Sequence, residues 1–461
     1  MLLAPAPNGL SADGWSIAAV GVLMAVWWTT EAVPLAATAL LPLVLFPVLG
    51  LRDLAATAPA YANPLIFLFL GGFLLARGMQ VWGVDRRLAV AVLRRSGSDP
   101  RLIIAAVMTV TAFLSMWVSN TATAMVMLPI GQSIVAASDR AARGACRDFA
   151  PALMLAIAYA ATIGGMGTLI GTPPNALFAA FMETRYGVEI GFARWLLVGV
   201  PLLLVLLPVA WLVLTRLAFR IPAGGSERGF AGIDVADAEV DPVVRRGGQI
   251  VAAAMGLAAL GWLSRPLLER WFPDLLLSDA GIAMACALML FVLPVDPARG
   301  RFALSWREAA AIRWDVLILF GGGLALAAAI GDSDLADWLG GRFAALDTLP
   351  LIVLLAVIGA IVVLVGELAS NTAMAAVFLP VAGATAVAMG EPALSLALPL
   401  ALFATLGFML PVATPPNAIV FWSEQVGAGQ MLRAGAILDV AGIVVVIAIV
   451  LTVGRWAFGS P

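Results

Sequence analysis

The 461-residue chain contains no histidine, only two cysteines, and only 12% charged residues. Without histidine no side chain titrates near neutral pH at its ordinary pKa, so the usual general base, proton relay and imidazole metal ligand are missing. Ser-His-Asp hydrolysis, Cys-His chemistry and histidine-type zinc sites are excluded. Cys146 and Cys286 lie far apart with no Cys-x-x-Cys spacing, so neither a metal knuckle nor a redox pair is encoded, and both read as buried thiols. Lysine is absent too, and the basic residues are all Arg, balanced to a net charge of -2. With no basic run, nucleic acid is not an expected partner.

What the chain has in excess is apolar surface: 62% hydrophobic residues and a mean hydropathy of +1.02. Soluble proteins average about 45–50% apolar and about 25% charged, so this is an all-α polytopic membrane protein and not a water-soluble enzyme. A helix needs about 20 apolar residues to cross the bilayer core. Runs near that length lie at 15–30, 33–50, 63–84, 152–180, 195–219, 248–264, 280–295, 314–331, 394–422 and 434–454, which predicts about ten transmembrane helices. Two further stretches, 102–138 and 348–390, do not fit one span; the first, 37 residues long, is slightly short of two spans and a turn at about 20 residues each, and both read as re-entrant helical hairpins.

Cytoplasmic loops carry the positive excess. With the N-terminus outside, only Arg52, Arg185, Arg194, Arg265, Arg270, Arg342 and Arg455 lie outside; Arg77 falls within a span, and the remaining arginines lie inside. Both termini are therefore expected outside. The N-terminus lacks a basic region of the kind that heads a cleaved signal. Residues 221–247, Gly-rich and acidic, read as a cytoplasmic linker between two halves.

Those halves are related. At an offset of 251, Leu68-Phe69 falls on Leu319-Phe320 and Gly71-Gly72 on Gly322-Gly323, while SNTATAMVMLP (119–129) falls on SNTAMAAVFLP (370–380) with eight of eleven positions identical. At an offset of 242, TPPNA (172–176) falls on TPPNA (414–418), and Gly165 on Gly407. Under the arginine-based orientation, 63–84 runs inward and 314–331 outward, so the two repeats are inverted. Inverted repeats place a transported solute at their shared axis.

The repeated motifs suit helix starts near mid-membrane. Ser, Asn and Thr are poor in a helix interior and strong at an N-cap, which puts Ser119-Asn120-Thr121 and Ser370-Asn371-Thr372 at hairpin tips. Thr172 or Thr414 can cap, and proline at the first helical position loses no hydrogen bond. The glycines before each TPPN predict unwound backbone, which survives at that depth only where it lines a cavity. Four helix N-termini, each about +0.5 of a charge, favour a dianion if they converge. Freed carbonyls, with Ser115, Ser119 and Asn120 or with Asn371, are hard oxygen ligands for a small cation such as sodium.

SMWVSNTATAMVMLP, GELASNTA, the paired TPPN segments and WWTTEAVPLAATALLPLVLFP (27–47) resemble the divalent anion/sodium symporter family over nearly the whole chain. The resemblance implies a homodimer in the bacterial inner membrane, importing C4-dicarboxylates such as succinate, malate or fumarate with co-transported sodium. It implies an elevator mechanism. Scaffold helices would occupy 1–100 and 248–347, and transport-domain elements, each a hairpin and a broken helix, would occupy 101–220 and 348–461. Carried over by residue, substrate contacts fall on Ser119, Asn120, Thr121, Ser370, Asn371, Thr372, Thr414 and Pro415. The first sodium site falls on Ser115, Ser119, Asn120 and backbone near Gly171, the second on Gly366, Ala369, Asn371 and Ala413. Gly366 stands where many sodium-coupled members carry Thr, and the extra N-terminal helix of many relatives is not seen. A dicarboxylate exchanger and a sulfate or citrate transporter are the rival readings. A membrane enzyme lacks its acid–base pair, and a channel needs no pair of inverted gates. Glu31 and Glu367 are the acids most embedded in apolar sequence, Glu367 as a brace for its hairpin; Arg77 reads as snorkelling, and most tryptophans as interface anchors.

Overall fold

A computed structural model describes residues 5–458 except 95, 96, 98, 143–147, 223–240, 275 and 344–348. Cys146 and most of the 221–247 linker lie outside the described residues. The described chain is almost entirely helical, with one short two-stranded ribbon, Pro294–Asp296 against Arg301–Phe302. Many helices start where sequence chemistry dictates. Proline opens Pro64–Val81, Pro100–Ser115, Pro173–Tyr186, Pro242–Trp271 and Pro415–Phe421, a position that needs no amide hydrogen. Asp99, Asp241 and Ser278 accept from the first-turn amides of Arg101, Val243 and Gly281, satisfying donors the helix itself cannot.

Eight described helices are long and apolar enough to cross a membrane. Three of the expected spans are interrupted. Residues 33–50 form Leu35–Ala39 and Leu41–Val48; 152–180 forms Phe149–Met166 and Pro173–Tyr186; 394–422 forms Leu394–Phe403 and Pro415–Phe421. The last two breaks, 167–172 and 404–414, are the unwound stretches expected ahead of each TPPN.

Both long stretches fold as helical hairpins. The first pairs Pro100–Ser115 with Asn120–Ala142, and the second pairs Leu351–Gly366 with Asn371–Ala388. Each first arm has 16 residues, about 24 Å at 1.5 Å per residue and short of a ~30 Å hydrocarbon core.

Packing interlocks the halves. Pro173–Tyr186 of the first broken helix lies against Asn371–Ala388 of the second hairpin, while Pro415–Phe421 lies against Asn120–Ala142 of the first. Phe149–Met166 is buried at nearly every residue between the first hairpin and Pro415–Phe421. A second group of helices packs through glycine. A Cβ on Gly71 would fall 2.7 Å from the backbone of Ala283, and one on its repeat counterpart Gly322 would fall 2.3 Å from the carbonyl of Ala39. Neither position can carry a side chain without separating its helices.

The tryptophans correct one expectation. Trp28 and Trp195, expected as interface anchors, are fully buried, as is Trp262. Their indole N–H groups donate to the carbonyls of Leu35 (3.0 Å), Met166 (3.1 Å) and Asp279 (2.9 Å). A tryptophan whose N–H finds a carbonyl has no need of the bilayer interface.

Candidate functional site

The repeated motifs meet in one cavity of about 660 Å³. Ser119, Asn120 and Thr121 line it from the first tip, and Ser370, Asn371 and Thr372 from the second. Thr414 and Pro415 line it from the second TPPN, with Thr172 and Pro173 in the equivalent place from the first. Among the expected cation ligands Gly171, Ala369 and Ala413 also reach the wall, whereas Ser115 and Gly366 are buried just behind it.

The caps are uneven. Ser119 Oγ accepts from Ala122 N (3.4 Å) and Thr414 Oγ1 from Asn417 N (3.3 Å). Thr172 and Ser370 occupy the N-cap positions without a side-chain hydrogen bond, which leaves both hydroxyls for other partners. Three of the four helix starts head helices of 23, 18 and 14 residues. The fourth heads only the seven residues Pro415–Phe421, so its dipole is the weakest.

Behind the first tip, oxygens crowd together. One end of the Asn120 amide lies 2.7 Å from Ser115 Oγ, 3.2 Å from the carbonyl of Ala161 and 3.3 Å from that of Gly171. Ser115 Oγ also lies 2.6 Å from the Ala161 carbonyl. Ligands about 2.4 Å from a hard cation stand roughly 3 Å from one another, so the spacing and the all-oxygen donor set fit sodium. Ala161 belongs to this nest and was not legible in the sequence, because a backbone carbonyl inside a uniform apolar helix carries no residue-type signal.

Behind the second tip the set is thinner. Asn371 Nδ2 donates to the Thr405 carbonyl at 3.4 Å, and Asn371 Oδ1 is buried with no hydrogen-bond partner among the described residues. Such an orphan acceptor is costly unless something fills its site, which fits a second cation. Gly366 supplies no side-chain oxygen. A Cβ there would meet nothing closer than the Leu406 carbonyl, at 3.9 Å.

Side chains hold the unwound backbone in shape. Asn175 Nδ2 donates to the carbonyls of Gly165 (3.1 Å) and Thr168 (2.8 Å). Asn417 Nδ2 does the same for Gly407 (3.1 Å) and Leu410 (3.0 Å). The TPPN asparagine thus ties off its own loop in both halves. Each hairpin is also fastened to its loop, by opposite means: Thr168 Oγ1 donates to the Met116 carbonyl at 2.5 Å, whereas Glu367 accepts from the amides of Met409 (2.9 Å) and Leu410 (2.7 Å). Glu367, expected to brace its hairpin, braces it against the unwound segment.

Several wall residues carried no motif. Arg313 grips Asp315 through two nitrogens at 2.7 to 3.1 Å, and this ion pair shares the cavity with Glu31, Phe69 and Phe73. Arg77 lines a smaller adjoining cavity with Arg313, Ser119 and Thr121. It donates to the Glu308 carbonyl and to Gln80.

Comparison with known proteins gives a consistent picture. Residues 1–459 match the family described as sodium:sulfate symporter transmembrane region. The sodium-dependent dicarboxylate transporter SdcS of Staphylococcus saprophyticus is 38% identical over 451 residues, covering 96% of this chain and 87% of that one. Its counterpart in a Staphylococcus aureus strain is 38% identical over 458 residues, covering 96% and 86%. The crystal structure of the Alcanivorax borkumensis YdaH transporter superposes with a TM-score of 0.60, covering 96% of this chain and 99% of that one at 16% identity, a likeness of fold.

Proposed function

The chain belongs to the sodium:sulfate symporter family, and from that premise we propose that it imports C4-dicarboxylates with sodium across the bacterial inner membrane. One observation carries the reading: both SNT tips and both TPPN starts line a single cavity, with oxygen sites directly behind the tips. The three longer helix starts bring about +1.5 of charge to that cavity, and the hydroxyls of Ser119, Thr121, Ser370 and Thr372 supply donors for carboxylate oxygens. The two curated relatives are named as dicarboxylate transporters, which favours carboxylates over sulfate.

The transport cycle is an elevator. The hairpins and broken helices, 101–220 and 348–461, move as one body against scaffold helices of 1–100 and 248–347 that also hold a homodimer together. The halves are inverted repeats, and both termini lie outside. In that orientation Arg313 is cytoplasmic, so the cavity it lines opens inward. A dianion entering an inside-negative cell works against about 2.3 kcal/mol per charge per 100 mV, so three sodium ions make import electrogenic and favourable.

Substrate class is tested by competition in proteoliposomes. Unlabelled succinate, malate and fumarate are expected to displace labelled succinate, with sulfate and citrate far weaker; displacement by sulfate at the same concentration as succinate overturns the assignment.

A further inference from the structure

We propose that Arg77 and Arg313 form a second anion site, an antechamber that receives the dicarboxylate as it leaves the central cavity. This rests on the dicarboxylate reading above. The site is a cavity of about 230 Å³ that adjoins the central one and shares with it Phe73, Ser119, Thr121 and Arg313. Its charged lining is different. Glu31 and Asp315 line the central cavity beside Arg313, whereas the smaller cavity is lined by Arg77 and Arg313 with no carboxylate among the described residues of its wall. Two guanidinium groups can hold the two ends of a short dianion, and each presents a planar fork that matches a carboxylate.

Arg77 is placed for this and not for the bilayer surface. A snorkelling arginine sends its head to the lipid headgroups, but Arg77 is half-buried, with Nε donating to the Glu308 carbonyl and Nη1 to Gln80 Oε1, both at 3.2 Å. These bonds fix the guanidinium at the cavity wall without neutralising it. No acid among the described residues forms an ion pair with Arg77. An ionised group kept inside a span without a counter-ion is costly, and such groups mark ion pathways. Arg313 is the opposite case: Asp315 orients its head and cancels most of its charge, so the positive charge of the antechamber comes chiefly from Arg77.

The antechamber belongs to one face only. At the offset of 251 that relates the repeats, Arg77 falls on Ala328 and Arg313 on Ala62. The central cavity draws on both halves, but one exit from it has arginines where the other has alanines. In the proposed cycle both arginines belong to the scaffold, and Ser119 and Thr121 to the moving body. The antechamber is then complete only in the inward-open position. There the dianion exchanges helix starts for guanidinium groups before it reaches the cytoplasm, instead of giving up all its partners to water at once.

Because the central site needs sodium, binding in sodium-free choline buffer isolates the antechamber. Saturation-transfer NMR from the full-length protein in lipid nanodiscs to succinate, with empty nanodiscs as the baseline, is expected to show weak binding that fades as choline chloride is raised and the charges are screened. Arg77→Gln weakens that binding by about tenfold, the factor for one hydrogen bond to a charged group, and Arg77→Lys, which keeps the charge, retains most of it. If Arg77→Gln does not fold, Arg313→Gln, at an exposed position, is the second variant and is expected to weaken binding likewise. No transfer in the wild-type protein, or equal transfer in wild type and the glutamine variants, overturns the antechamber and leaves the dicarboxylate reading standing. If sodium with succinate stabilises the wild-type protein against heat no more than sodium alone, the dicarboxylate reading falls and the antechamber with it.

Discussion

Phe69 and Phe320 meet edge to face, with ring centroids 5.0 Å apart and planes at 87°. They are also repeat counterparts, 251 positions apart. A residue that touches its own counterpart lies close to the axis relating the two halves, and Phe69 lines the central cavity. The proposed inverted repeat draws on this contact: the axis passes beside the cavity, and each half contributes one tip and one broken helix to it.

Because Asn120 and Asn371 stand at the two tips, Asn120→Ala or Asn371→Ala is expected to abolish succinate uptake. The protein should still elute on size-exclusion chromatography at the wild-type position. Normal uptake by either variant rules out the site as assigned.

Glycine at 165 and at 407 answers to different constraints. A methyl group at 165 strikes the Asn120 amide, whereas at 407 its nearest neighbour is the Ala413 Cβ at 3.4 Å, ordinary contact. Gly165→Ala is therefore expected to lose sodium-dependent thermal stabilisation, and Gly407→Ala to keep it. Equal behaviour of the pair contradicts the geometry of the first nest.

At position 366 there is space for a side chain, with only the Leu406 carbonyl near the Cβ position. Gly366→Thr supplies the proposed second cation site with a hydroxyl oxygen and is expected to lower the sodium concentration for half-maximal uptake. An unchanged sodium titration means that position 366 is not part of a cation site.

Glu367 is 2% exposed and its two oxygens each accept one backbone amide. Glu367→Leu removes both acceptors and leaves the buried Met409 and Leu410 amides without their partner, at a cost of about 1–3 kcal/mol each. The expected result is a lower unfolding temperature together with weaker succinate binding, since the released 404–414 segment carries Ala413 and Thr414 into the site. Wild-type stability in this variant excludes the brace.

Much of this arrangement was legible because it is written twice. The SNT tips, the TPPN starts and the glycine-rich breaks are side-chain signals, and their repetition separates them from an apolar background. The first hairpin follows from the length of its stretch, and the second from the tip motif it shares with the first. What stayed hidden lies in backbone atoms or in unrepeated contacts: the Ala161 carbonyl in the nest, the Arg313–Asp315 pair on the wall, and the bond from Glu367 to amides more than forty positions on. The roles of Asn175 and Asn417 were hidden differently. Both stand inside a recognised motif, yet their targets are carbonyls seven and ten residues back, which become acceptors only after the helix unwinds.

Labelled succinate uptake into proteoliposomes tests sodium coupling most directly, comparing empty vesicles under an inward sodium gradient with sodium-free vesicles preloaded with unlabelled succinate. Concentrative uptake into the empty vesicles, accelerated by an inside-negative potential, is the predicted result. Uptake confined to the preloaded vesicles contradicts it and makes the protein an exchanger.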